Sequence, residues 1–169
     1  DGRSLRLETF YKKYEDLVKT SNNFYKPIAI NNNGSGYAKG IELFWRDKKT
    51  LKNIDYWISY SYLDSKRNYL NYTESLFPNF AAKHTISIVA KKFITAWKTG
   101  FNFSYNYNSG RPYYNFVTEN GNTVLKNQGQ TKDYNVLNFS VNYVPSVGKK
   151  DTKSFSVFVL SVNNVLGSK

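Results

Sequence analysis

The chain has 169 residues and a formal net charge of +12, so it is long enough for one ordinary domain and basic enough to raise the question of an anionic partner. The absence of cysteine excludes disulfides, thiolate metal sites and thiol nucleophiles. No apolar run approaches the roughly 18 residues of a membrane-spanning helix, so any membrane-spanning segment must be a strand.

Apolar and polar residues alternate with a period of two along most of the chain, which predicts β-strands. The second of these strands is predicted at 37–45, and a start near residue 28 stays open. Residues 31–36 (Asn-Asn-Asn-Gly-Ser-Gly) have the composition of a loop or a bulge, so the pattern there does not decide where the strand begins. The connections are alternately long and short, so the expected fold class is all-β, an antiparallel up-and-down meander of about seven strands. The predicted strands are residues 4–18, 37–45, 54–64, 83–93, 97–114, 134–144 and 154–166.

The clearest alternation covers residues 97–108. One face of this segment is nearly all aromatic, whereas the other consists of Asn, Ser and Gly with a single Lys. A small soluble sheet would bury its apolar face and expose charged residues. An aromatic face opposite an almost uncharged polar face is instead typical of a strand between lipid and a polar lumen.

Three basic clusters lie at the short turns of the meander, and therefore at the same end of it. They predict a positively charged rim that contacts anionic lipid head groups. The simpler alternative is that turns are exposed to water and are rich in lysine for that reason alone. A nucleic-acid surface would interleave basic and aromatic residues on one face, whereas here they are segregated, so we expect no nucleic-acid partner. The clusters are Arg46, Lys48, Lys49 and Lys52, then Lys91, Lys92 and Lys98, then Lys149, Lys150 and Lys153.

No pattern of residues indicates catalysis. His84 is the only histidine, and a polar residue at a strand start explains it better than a metal ligand or general base does. Glu8 and Glu42, with Arg6 nearby, fit a salt-bridge network in a lumen better than a pair of catalytic carboxylates. Because no nucleophile–base or metal constellation is visible, we predict no enzyme activity, no metal site and no cofactor.

A constrained segment lies at the end of the fifth predicted strand, because Gly110 and Pro112 bracket Arg111. The simplest interpretation is a bend that ends the strand. The functional alternative is a structured rim at which Arg111 meets a plug, a loop or a ligand.

Four motifs resemble those of TonB-dependent receptors. Residues 37–43 (Tyr-Ala-Lys-Gly-Ile-Glu-Leu) are similar to the family's Gly-x-Glu strand, and Pro78-Asn79-Phe80 before Lys83-His84 is similar to a loop that leads into a strand. Residues 109–113 (Ser-Gly-Arg-Pro-Tyr) and 162–166 (Val-Asn-Asn-Val-Leu) resemble two further family motifs. Their order and spacing match over nearly the whole chain, and its Asn- and Tyr-rich character resembles receptors of the Bacteroidetes type.

This resemblance implies that residues 1–169 are a C-terminal part of a 22-stranded transmembrane barrel in the outer membrane of a Gram-negative bacterium. The chain shows no plug, TonB box, or final strand ending in an aromatic residue, so we expect the rest of the barrel to come from other sequence. The implied function is active uptake of a large or scarce solute, driven by TonB. The implied partners are outer-membrane lipid, the remaining barrel and plug, TonB through the absent N-terminal part, and a surface lipoprotein.

The same resemblance divides the strand residues between two environments. A charged residue at mid-strand on the lipid side is expected to harm folding in membranes. The expected lumen-facing residues are Glu42, Ser59, Asn102, Ser104, Asn106, Asn138 and Asn142. The expected lipid-facing residues are Ile41, Leu43, Ile58, Ile86, Ile88, Phe101, Phe103, Leu137, Phe139 and Val141.

Two other functions stay open at this point. A complete small outer-membrane barrel with a structural or adhesion role would suit the length of the chain, but an eighth strand is missing from the pattern. A soluble tyrosine-rich β-sandwich that binds carbohydrate would need a common apolar core and charged outer positions. The uncharged polar faces of the fifth and sixth predicted strands argue against such a sandwich.

Overall fold

The fold is built from β-strands. The computed structural model describes residues 2–20, 30–120, 122–149 and 154–168 of the chain. In these residues nine strands form, with one 3₁₀ turn at Thr95–Trp97, and no helix there has the length and hydropathy to cross a membrane. The strands are β1 Arg3–Thr20, β2 Ile30–Asp47, β3 Ile54–Asn68, β4 His84–Ile94, β5 Thr99–Asn108, β6 Pro112–Glu119, β7 Asn122–Gln130, β8 Tyr134–Tyr143 and β9 Phe158–Val162.

Seven of these strands form one antiparallel sheet in the order β1-β2-β3-β4-β5-β8-β9, while β6 and β7 pair separately as a hairpin. The predicted seven-stranded meander is therefore confirmed. The connections β2–β3, β4–β5 and β8–β9 lie at one end of the sheet, which we call the turn end. The connections β3–β4 and β5–β8 lie at the opposite end, which we call the loop end.

The predicted fifth strand, residues 97–114, is shorter in the structure. The backbone turns at Lys98, which has a left-handed φ of 52°, and β5 runs only from Thr99 to Asn108. At the other end, the Gly110 N–H donates to Asp133 rather than to a neighbouring strand, and Pro112 begins β6. Residues 115–133, which lie between the fifth and sixth predicted strands, therefore contain most of a hairpin.

Other strand boundaries also differ from the sequence pattern. β2 begins at Ile30, so residues 31–36 lie within a strand, and β3 continues to Asn68. A β-bulge in β1 lies opposite the early part of β2. It is identified by the shift of the β1–β2 register between Tyr14 and Leu17 and by the φ of 56° at Asp16. β9 occupies only Phe158–Val162 of the predicted 154–166. Most of residues 19–26, a polar stretch after the first predicted strand, lies outside the described residues, as do Lys150 and Lys153.

The register divides the sheet into two chemically different faces, because paired residues share a face and successive residues alternate. On what we call the polar face, Ser59 pairs with Ser87, Ser87 with Asn106, and Asn102 with Ser140. On the opposite apolar face, Ile58, Ile88, Tyr105 and Leu137 form one continuous row. All the residues expected to face a lumen lie on the polar face, and all those expected to face lipid lie on the apolar face.

The sheet has almost no hydrophobic core of its own. Among the described residues, Ala38 and Tyr72 are the only hydrophobic residues that are buried. In contrast, Leu7 is 64% exposed and Leu160 is 70% exposed, and both lie in strands. A soluble β-sandwich would cover such side chains with a second sheet, so the described fold does not support that alternative.

We expect Phe103→Lys to destabilise the folded chain in lipid by roughly 2–4 kcal/mol, the cost of a lysine near the bilayer midplane. The adjacent Ser104→Lys is the matched control, because Ser104 lies on the polar face and its lysine would not enter lipid. Folding yield and urea stability in lipid vesicles measure the difference. Equal effects of the two variants would contradict the assignment of the apolar face to lipid.

Candidate functional site

The polar face carries an amide–hydroxyl ladder across β5, β8 and the residues that follow β9. The Asn102 side-chain amide donates to the Ser140 Oγ, and the Asn138 amide donates to the Ser104 Oγ, both at 3.2 Å. The Asn138 Oδ1 in turn accepts from the Asn164 backbone N–H at 3.0 Å. The ladder is uncharged, so it offers donors and acceptors without attracting one sign of charge.

The remaining residues expected to face a lumen are spread along the same face. Glu42 and Ser59 line a shallow cavity of about 250 Å³, while Asn106 pairs with Val136 and Asn142 pairs with Gly100. The structure therefore brings these residues onto one wall but not into one compact site.

The carboxylates of Glu8 and Glu42 lie on neighbouring strands at the same level, since these two residues are register partners. Arg6 lies 3.2 Å from Glu8, and both side chains are more than half exposed. An exposed pair of this kind contributes little to stability. The arrangement fits a hydrated polar wall.

An aromatic cluster lies at the loop end, where the β3–β4 connection meets the hairpin. The ring of Tyr72 lies 5.0 Å from that of Tyr69, 5.5 Å from that of Tyr114 and 5.7 Å from that of Phe116. Tyr72 is only 5% exposed, and this burial raises the pKa of its hydroxyl to about 12. The Tyr114 hydroxyl donates to the Phe77 carbonyl at 2.8 Å, which ties the hairpin to the β3–β4 connection.

Sequence reasoning missed this cluster because its members lie in segments of largely polar composition. The signal that could have located it is the concentration of aromatic residues at positions 69–80 and 113–116. Aromatic side chains in otherwise polar connections often pack on one another. A cavity of about 460 Å³ at the same end of the sheet is lined by Ser65, Phe77, Lys83, Gln128 and other residues.

The segment 109–112 joins the sheet to the hairpin through its backbone and Ser109. The Ser109 Oγ accepts from the backbone N–H groups of Lys83 and His84, each at 3.0 Å. A Cβ atom added at Gly110 would lie 1.9 Å from the Thr131 carbonyl oxygen, so only glycine fits there. The Arg111 backbone bonds to Thr131, while its side chain is exposed. The predicted bend is present, and the predicted contact of Arg111 with a plug, loop or ligand stays a prediction.

Asp133 completes this junction from the β7–β8 connection. Its carboxylate accepts from the Tyr107 hydroxyl at 2.6 Å and from the Gly110 N–H at 2.8 Å. The hydrogen bond from Tyr107, and to a lesser extent that from Gly110, holds the pKa of Asp133 below its usual range.

The turn end is basic, as expected, but several of its cations are paired. The Arg46 guanidinium donates two hydrogen bonds to the Asp55 carboxylate, at 2.9 and 2.6 Å. Arg3 lies 3.0 Å from Asp47, whose carboxylate also accepts the N–H groups of Lys49 and Thr50 and closes the β2–β3 turn.

His84 lies on the apolar face near the loop end. Its Nδ1 is 2.9 Å from the Tyr60 hydroxyl, and its ring is 5.3 Å from that of Tyr62. In the part of the chain that the structure describes, no three His, Asp or Glu side chains converge on a position for a metal ion. The contacts of His84 are those of a polar residue in an aromatic row.

Comparison with known proteins identifies a family and a similar solved structure. The family description "TonB dependent receptor-like, beta-barrel" matches residues 1–165. The outer membrane transporter YddB from Escherichia coli matches with a TM-score of 0.71 and 13% identity, over 99% of this chain and 27% of that one. The chain therefore spans about a quarter of the transporter's length. No curated protein sequence matches.

We expect Gly110→Ala to destabilise the junction by about 1–3 kcal/mol, because the added methyl overlaps the Thr131 carbonyl. Gly100→Ala is the matched control, since the nearest atom to its added Cβ is 3.4 Å away on the Phe93 ring. Limited proteolysis of residues 112–130 measures the loosening of the hairpin. Equal cleavage rates for both variants would show that the close approach at Gly110 does not hold the junction.

We also expect the junction to loosen in acid. Because the pKa of Asp133 is lower in the folded chain than in the unfolded chain, its contribution is present above about pH 4, the unfolded value, and is lost as the pH falls through the folded value. The Gly110 amide shift, followed by NMR of glycine-labelled protein in micelles, should titrate with a midpoint below that of an ordinary aspartate.

Tyr107→Phe and Asp133→Asn are the controls for this titration. Tyr107→Phe removes the main donor and should move the midpoint toward the ordinary value. Asp133→Asn should abolish the titration. A midpoint unaffected by Tyr107→Phe would contradict the assigned cause.

Proposed function

This chain belongs to the TonB-dependent receptor-like β-barrel family, and from that premise we propose that it forms part of the wall of an outer-membrane transporter for active solute uptake. The family is one of receptors and transporters rather than of enzymes. Family membership implies the outer membrane as the location of the barrel. The observation that carries the proposal is a sheet with one exposed apolar face, one polar face and almost no core among its described residues.

Lipid is the environment that stabilises such an apolar face. The register partners Ile58 and Ile88 lie in its middle, while Tyr62 and Tyr107 lie toward the loop end and Tyr56 and Trp97 lie toward the turn end. Aromatic residues at both ends of an apolar band are typical of transmembrane barrels, where they lie at the two membrane interfaces. Trp97 is 62% exposed, as a side chain in such an interface would be.

The polar face then lines the interior of the barrel. In this proposal the lumen-facing residues act as a hydrated wall of hydrogen-bonding groups and not as a catalytic set. They are Glu42, Ser59, Asn102, Ser104, Asn106, Asn138 and Asn142. Arg111, at the loop end, is proposed to contact the plug, a loop or the solute.

The rest of the barrel is proposed to come from other sequence, in the 22-stranded arrangement expected for large outer-membrane transporters. β1 and β9 are edges of the described sheet, and unpaired strand edges are not stable in lipid. Further strands must therefore cover both edges. The proposed partners are those strands, a plug, TonB acting on the plug, outer-membrane lipid and a surface lipoprotein.

The second candidate is a complete small outer-membrane barrel with a structural or adhesion role. It shares the apolar and polar faces, but it needs β1 and β9 to pair or to be bridged, and in the described sheet they are its two separate edges. The large barrel therefore fits the sheet better.

The intact mass of the native polypeptide, extracted from its source membrane in detergent, distinguishes the two candidates. We expect a mass several-fold above 19.6 kDa, with this sequence near the C-terminus. Solute uptake by cells should then require both this polypeptide and an energised TonB complex. A mass near 19.6 kDa would overturn the transporter proposal in favour of the small barrel.

A further inference from the structure

Arg67 lies on the polar face of β3 at the loop end, among three aromatic rings. The central carbon of its guanidinium is 4.4 Å from the centre of the Tyr14 ring, 5.4 Å from that of Phe80 and 6.0 Å from that of Tyr69. Tyr14 and Arg67 are both register partners of Gly36, so they share one face of the sheet. Attraction between the cation and the rings holds the guanidinium against the wall of the sheet.

The backbone of β2 forms the floor under this arginine. A Cβ atom added at Gly36 would lie 2.9 Å from the Arg67 Cγ, so the arginine stem packs directly on the strand. The rings fix the guanidinium from the sides, and the floor fixes the stem from below. The position of the charge is therefore set by the fold.

The charge of Arg67 is not neutralised by the residues that the structure describes. None of their carboxylates forms an ion pair with it, and its Nε is buried without a hydrogen-bond acceptor among them. Arg46, in contrast, donates two hydrogen bonds to Asp55. Arg67 thus keeps its capacity to bind an anion, and its side chain is partly exposed.

Lys12 is a second cation on the same face. It lies on β1 two residues before Tyr14, it is exposed, and it makes no ion pair within the described ranges. Across β1, β2 and β3, the two rows that contain Lys12 and Arg67 have no carboxylate. Glu8 and Glu42 lie in a row nearer the middle of the sheet. The loop end of this face is therefore positively charged.

We propose that Arg67 and Lys12 bind a carboxylate or phosphate group of the solute, so that the barrel takes up an anion. The inference rests on the proposed function, in which the polar face encloses a lumen. The longer connections of transmembrane barrels are extracellular, so an entering solute meets these two residues early. The planar guanidinium can donate two parallel hydrogen bonds to such a group, and the ammonium supplies a second charge.

The charge of the wall changes beyond this site. Toward the middle of the face lie Glu8 and Glu42, and the ladder on β5 and β8 is uncharged. An anion is therefore attracted to the loop end and is not retained in the middle of the wall. A positive site at the entrance also raises the local concentration of a scarce anion.

Phenylglyoxal modification of the native full-length polypeptide in detergent tests the proposal, because the reagent reacts with accessible guanidinium groups. The rate is read at each arginine by peptide mass spectrometry, with succinate, inorganic phosphate or succinamide present at one ionic strength. We expect succinate or phosphate to slow the reaction of Arg67 by about two- to five-fold, as for a probe at roughly one to four times its dissociation constant.

Two controls belong to this measurement. Succinamide has the shape of succinate without its charge and should not protect Arg67. Arg6 lies on the same face beside Glu8, is exposed, and should react at the same rate with every probe. Protection by succinamide, equal protection of Arg6, or no protection of Arg67 by either anion would overturn the proposal. This arm needs no variant and so does not depend on the folding of one.

Removal of the second charge supplies the other arm. Lys12→Gln should lower the protection of Arg67 by the anionic probe to less than half. Lys66→Gln makes the same change on the residue next to Arg67, but on the opposite face, and should leave the protection unaltered. An equal loss in the two variants would contradict a site shared by Arg67 and Lys12.

A carboxylate from the rest of the polypeptide is the competing occupant. Arg67 would then be unreactive in the absence of any probe, and this result would overturn the assignment to the solute. The failure of this inference and the failure of the proposed function are distinguishable. A native mass near 19.6 kDa removes the transporter itself, whereas a large mass without selective protection of Arg67 removes only the anion site.

Discussion

Backbone pairing in a continuous antiparallel register is the constraint on which the rest of this structure depends. Every strand of the large sheet pairs with its neighbours, and the pairing runs without a shift from β2 to β9. Because side chains alternate along each strand, a slip of one residue would move a whole set of aromatic residues to the polar face. The register therefore creates both faces at once, one suited to lipid and one to water.

The two ends of the sheet are closed by different chemistry. At the loop end, hydrogen bonds to Ser109 and Asp133 hold the start of the hairpin, and the ring of Tyr72 anchors the hairpin to the β3–β4 connection. At the turn end, Asp47 closes one tight turn and cations gather around Trp57. The first end buries aromatic surface, while the second keeps its charge accessible to solvent.

Strand positions could be predicted because alternation is a local property, and the strong patterns around Ile41, Ile58 and Phe139 all lie in observed strands. The hairpin could not be predicted in this way. Its strands, Pro112–Glu119 and Asn122–Gln130, are stabilised by pairing with each other and by packing on Tyr72, which is 40 residues before the start of β6. The early start of β2 could only be left open for a related reason, since its Asn- and Gly-rich residues form a strand by pairing with β1 and β3.

The sequence by itself determined the all-β class, the order and direction of the meander, the membership of each face and the resemblance to TonB-dependent receptors. These properties follow from period-two alternation and from motifs in which neighbouring residues carry the signal. The tertiary structure decided which residues meet across the sheet: Glu8 beside Glu42, Asp133 on Gly110, and Lys91 over Trp57. Such contacts join residues far apart in the chain, and only the register and the folding of the hairpin bring them within bonding distance.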